Sequence, residues 1–71
     1  MIHQTAIIDP QAELGNGVAI APYTVIEGPV SIGENCRIGP HCHITGHTTI
    51  GPGTSIHAGA VVGGEPQDYD Y

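Results

Sequence analysis

The chain has 71 residues and a formal net charge of −6, and Arg37 is its only permanently positive side chain. One cation cannot neutralise a phosphate backbone or an anionic lipid surface, which argues against nucleic acid and charged membranes as partners. With 11 Gly, 6 Pro, 39% hydrophobic residues that are mostly β-branched and only 11% charged, the composition fits neither a disordered chain nor a helical globule.

Taken in chain order, the elements recur every six residues. An aliphatic side chain falls at Ile2, Ile8 and Leu14, then at Ile20, Ile26, Ile32, Ile38, Ile44 and Ile50, and finally at Ile56 and Val62. Each predicts a short strand with that side chain turned inward, followed by a sharp corner. Four residues further on lies a column of small side chains: Ala6, Ala12, Val18, Thr24, Val30, Cys36, Cys42, Thr48, Thr54 and Ala60. A narrow interior accommodates one bulky residue per strand with a small one beside it. Corners are marked by Pro10, Pro22, Pro40 and Pro52, and by Gly17, Asn35, Gly53 and Gly59, which accept a positive φ.

Three such units close a triangular coil of about 18 residues, and successive coils pair in parallel about 4.8 Å apart. Steps of one coil stack Gly17, Asn35 and Gly53 at one corner and Gly28, Gly46 and Gly64 at another. The fold class predicted is an all-β, single-stranded parallel β-helix of a little under four triangular coils, spanning residues 1–66. Residues 67–71 are expected to begin a protruding loop of a truncated chain. The period itself sets no handedness.

The residue before each aliphatic faces outward. Ile7, Val25, His43 and Val61 form one such column, Glu13, Ser31 and Thr49 a second, and Ala19, Arg37 and Ser55 a third. Only the first is apolar, and an apolar stripe on the outside of a solenoid marks a contact surface. Cys36 and Cys42 read as reduced, packed thiols on neighbouring faces, since a corner separates them. No apolar run suits a transmembrane helix and no charged segment opens a signal peptide, so the expected location is cytoplasmic. Five His are spread over several corners, and no three of them form a metal-ligand pattern, so neither a metal site nor a catalytic His is predicted.

The units "LGNGVA", "IGENCR", "IGPHCH" and "IGPGTS" fit the pattern of hexapeptide acyltransferases. The stretches "IHQTAIIDPQAELGNGVAIAPYTVI", "TGHTTIG" and "VVGGEPQDYDY" more closely resemble the N-terminal part of the UDP-N-acetylglucosamine O-acyltransferases, which open lipid A synthesis. That resemblance implies a left-handed coil, a homotrimer with sites between subunits, and transfer of a 3-hydroxyacyl chain from acyl carrier protein to the sugar 3-hydroxyl. No cofactor is implied, because the carrier-protein thioester is the co-substrate. The general-base His of the family lies beyond the matched segment, so no catalytic residue is expected within this chain, which should be inactive alone. In a trimer, the column of Ile7, Val25, His43 and Val61 is the expected contact.

By the same resemblance Asp68, with Gln67 beside it, contacts the sugar nucleotide, although "EPQDYDY" also reads as a solvated loop where the repeat ends. Asp70 stands where the family usually has Lys, and a second carboxylate there would repel an anionic acceptor. Another hexapeptide sugar N- or O-acyltransferase, or a non-catalytic β-helix used as a scaffold or assembly module, remains an alternative.

Overall fold

A computed structural model describes residues 1–63. Its extended elements are β1 (Ile7–Ile8), β2 (Glu13–Leu14), β3 (Ala19–Ile20), β4 (Val25–Ile26), β5 (Ser31–Ile32), β6 (Arg37–Ile38), β7 (His43–Thr45), β8 (Thr49–Ile50), β9 (Ser55–Ile56) and β10 (Val61–Gly63). Each pairs one outward residue with one inward aliphatic, and the β-branched side chain that fits a pleated surface sits at nearly every inward position. The next corner arrives before a longer strand can form.

Three parallel sheets result, in the orders β1-β4-β7-β10, β2-β5-β8 and β3-β6-β9. Partners are always one coil apart: Ile7 lies against Val25, Val25 against His43 and His43 against Val61. An isolated parallel bridge between Ile2 and Ile20 brings in the first aliphatic of the column. Backbone N–H groups of one coil donate to carbonyls of the next, as from Val25 to Cys42 and from His43 to Ala60, both 2.9 Å. The described residues therefore form a β-solenoid of three complete coils and the first strand of a fourth. The expected boundary at residue 66 and the loop 67–71 lie outside the described residues.

Both inward columns make the core. Ile26, Ile44, Val30, Thr24 and Cys36 are fully buried, and Cys42 nearly so. Burial weakens toward the two ends, where Ile2 is exposed and Ile8, Leu14, Ile56 and Val62 are only partly covered. A solenoid buries each coil only between its neighbours, so an outermost coil keeps one open side.

Left-handed backbone marks all three corners, with Gly28 and Gly46 at φ of 82° and 78° on one of them. Gly17, Asn35 and Gly53 all take φ between 60° and 74°, as their stacking requires. The third corner, Tyr23, His41 and Gly59, is equally left-handed, at φ of 62°, 58° and 77°. Pro22 and Pro40 mark the turn there, but residue type announces its positive φ at Gly59 alone. Gly33 has a different reason for being glycine: a Cβ there would come within 2.6 Å of the Pro52 nitrogen in the next coil. Among the described residues no helix is long and apolar enough to cross a membrane.

Candidate functional site

The outward column of the four-stranded sheet is the most distinctive surface. Strands β1, β4, β7 and β10 carry Ile7, Val25, His43 and Val61 in one line, because each strand starts at the same point of its coil. Ile7 is 64% exposed and Val61 37%, with Val25 half-buried between its neighbours. The other two outward lines, Glu13–Ser31–Thr49 and Ala19–Arg37–Ser55, are in the register the repeat predicts.

His43 is the one polar member of the apolar line, and it has a partner that the repeat pattern did not single out. Its Nε2 lies 2.6 Å from Oε1 of Glu27, and both side chains are about half exposed (46% and 56%). Glu27 follows β4 directly, so a His one coil later and two positions earlier falls within its reach. The signal was present as a separation of 16 residues, one coil less two. Asp9 holds the position equivalent to Glu27 one coil earlier. Its Oδ1 accepts the Gln11 backbone N–H at 2.8 Å, and that bond, with another from the Gly28 backbone, holds the carboxyl below the usual aspartate range.

At the corner leading into this sheet, the rings of Tyr23 and His41 stack with centroids 5.3 Å apart and an interplanar angle of 24°. The hydroxyl of Thr5 accepts the Tyr23 backbone N–H at 2.9 Å. The two rings meet because they occupy the same corner of successive coils.

Inside the coil, the small column does more than fill space. Thr24 Oγ1 donates to the Gly39 carbonyl at 2.7 Å, Cys36 Sγ to the Gly51 carbonyl at 3.1 Å, and Cys42 Sγ to the His57 carbonyl at 3.1 Å. In each case donor and acceptor are 15 residues apart, so a side chain of one coil satisfies a corner carbonyl of the next. Reading Thr and Cys merely as small residues missed this. Both thiols are free and buried.

Among the described residues no group of three potential metal ligands gathers, and no ligand-sized cleft opens. His3, His41, His47 and His57 are all exposed, and of these only His41 meets another ring. Gln67, Asp68 and Asp70, the residues expected to touch substrate, lie outside the described residues.

The regular coil agrees with what comparison with known proteins finds. The family model described as bacterial transferase hexapeptide (six repeats) matches residues 29–64, half of the chain. The chain belongs to the hexapeptide transferase family. Hexapeptide repeats of this kind fit a left-handed β-helix, and the family thus supplies the hand that the period could not. Relatives named acyl-[acyl-carrier-protein]–UDP-N-acetylglucosamine O-acyltransferase match nearly the whole chain. The one from Chlamydia pneumoniae is 46% identical over 70 residues, 99% of this chain and 25% of its own length. Those from Chlamydia caviae and Brucella ovis are 46% and 40% identical over 70 and 67 residues. This hexapeptide chain spans about a quarter of the length of these relatives.

Proposed function

We propose that the chain is the opening segment of a cytoplasmic acyltransferase that moves a 3-hydroxyacyl group from acyl carrier protein to the 3-hydroxyl of UDP-N-acetylglucosamine. The observation that carries this reading is the similarity to enzymes of that name along 99% of the chain, corners and strands alike. The coil is the scaffold in this reading. Its apolar outward column of Ile7, Val25, His43 and Val61 meets two further copies to form a trimer, and Gln67 and Asp68 contribute the first contacts to the sugar nucleotide. The segment needs no cofactor, since a thioester is already activated toward attack by a hydroxyl that a general base deprotonates.

The general base comes from sequence beyond these residues, so the chain alone should not turn over. Incubating it with 3-hydroxyacyl carrier protein and UDP-N-acetylglucosamine, and following release of the carrier thiol, should give only the background rate. Turnover by the chain itself would refute the scaffold role. In the complete enzyme, Asp68→Asn should weaken binding of UDP-N-acetylglucosamine by about tenfold, the worth of one charged hydrogen bond. Unchanged affinity, or acyl transfer to a different amino sugar in preference, would overturn the acceptor assignment.

A further inference from the structure

One corner of the outer coil leaves a backbone nitrogen open to chemistry. We propose that Asn16 is a site of spontaneous deamidation and isomerisation, attacked by the backbone nitrogen of Gly17 with water as the co-reactant, and that the isomerised product loosens this corner of the coil.

The corner that stacks Gly17, Asn35 and Gly53 decides which N–H groups are occupied. The Asn35 N–H donates to the Asn16 carbonyl at 2.9 Å, and the Gly53 N–H to the Glu34 carbonyl at 2.8 Å. Gly17 holds the same position in the outer coil, and among the described residues its N–H has no hydrogen-bond partner. Asn16 and Gly17 are both exposed, so solvent base reaches that N–H, whereas a donor tied to a carbonyl is protected. Glycine is also fixed here, because a Cβ at residue 17, whose φ is 74°, would collide with Oδ1 of Asn35. No side chain therefore shields the nitrogen. Asn35, the other asparagine of the chain, supplies the contrast: the residue after it is Cys36, which is fully buried.

The step balances between the chain and solvent. A solvent base takes the Gly17 N–H proton, the nitrogen attacks Cγ of Asn16, and the Cγ–Nδ2 bond breaks to release ammonia. A cyclic succinimide results, and water opens it at either carbonyl. Addition at Cγ restores the main chain and leaves an aspartate side chain. Addition at the main-chain carbonyl leaves isoaspartate, in which the chain runs through Cγ and the former carbonyl becomes a free carboxylate. That carbonyl is the acceptor of the Asn35 N–H. Isomerisation thus lengthens the chain by one carbon at the corner and takes the acceptor out of the stack. Each coil is held by its neighbours, so the lost bond is felt where the outer coil meets the next.

Incubating the folded protein at body temperature in mildly alkaline buffer, beside a synthetic peptide of residues 14–27, tests this. A glutamate-specific protease cuts after Glu13, Glu27, Glu34 and Glu65, so Asn16 falls in fragment 14–27 and Asn35 in fragment 35–65. Chromatography with mass spectrometry should find the acid and iso-acid forms of fragment 14–27 accumulating at least about tenfold faster than any change at Asn35. The rate should also lie within about tenfold of that of the free peptide. Asn16→Gln should keep the circular dichroism spectrum and form neither product in fragment 14–27. Equal rates at the two asparagines, or a folded protein slower than the peptide by more than that margin, would overturn the site. In the isomerised fraction the Asn35 amide should exchange hydrogen at least about tenfold faster than in the untreated protein, and unchanged protection would overturn the effect on the corner.

Discussion

Replacing Thr24 with Val tests whether the interior hydroxyl is structural or incidental. The two side chains have nearly the same shape, and Thr24 is fully buried, so the change leaves the volume of the core almost untouched. What it removes is the donor to the Gly39 carbonyl at 2.7 Å and the acceptor, at a longer 3.4 Å, for the Cys42 backbone N–H. A buried polar group left without its partner costs about 1–3 kcal/mol. Against that, exchanging the hydroxyl for a methyl group contributes about 0.8 kcal/mol of apolar burial. The net expectation is a loss of about 1–2 kcal/mol, or roughly 5–15 °C in Tm for a domain of this size. Urea unfolding followed by circular dichroism measures it, provided the dependence on denaturant is unchanged between variants. Thr24→Ser, which restores the donor and gives up one methyl, should recover part of the loss. If Thr24→Val were as stable as the wild type, the bonds between coils made by Thr24, Cys36 and Cys42 would be geometrical accidents of a narrow interior.

Three further outcomes follow from other parts of the coil. Gly33→Ala puts a Cβ against the backbone of Pro52, which cannot swing aside, and should cost about 2–3 kcal/mol by the same unfolding measurement. Val25→Asp should leave the circular dichroism spectrum intact while reducing the sedimenting species to monomer, because it adds a carboxylate to the apolar line; a persistent trimer would remove that line from the contact. Asp9 has its carboxyl pulled below the usual range by hydrogen bonds from the folded backbone. Its contribution is therefore present above the unfolded-state value and lost as pH falls through the folded one. Asp9→Asn should make the acid limb of the stability profile shallower and leave the neutral region nearly unchanged.

The strands were legible because each solves the same local problem. A two-residue strand must turn one large apolar side chain inward, so the column from Ile2 to Val62 is written directly into residue type. Proline marked several corners, but their left-handed backbone was legible only where glycine or asparagine announces a positive φ, as at Gly17, Asn35 and Gly53. Tyr23 and His41 carry no such mark. Their left-handed backbone comes from the stack: the His41 N–H donates to the Pro22 carbonyl at 3.1 Å and the Gly59 N–H to the Pro40 carbonyl at 3.0 Å, so each corner copies the one beneath it. An L-residue in that conformation costs about 1–2 kcal/mol, which the ring stack and the shared corner bonds offset. The hydrogen bonds of Thr24, Cys36 and Cys42 escaped notice for a related reason. They depend on what lies one coil above, and a column of small residues does not reveal which members are donors.

The candidate site divides along the same line. Its apolar column is a property of the repeat and could be read residue by residue. The pairing of His43 with Glu27 depends on two outward residues that neighbour each other only after the coil has closed. Removing His43 extends the apolar line but leaves the Glu27 carboxylate beside it without its partner. If the line is a contact between copies, the double variant His43→Val with Glu27→Gln should associate more tightly on dilution than His43→Val alone; equal association of the two would place the pair outside the contact.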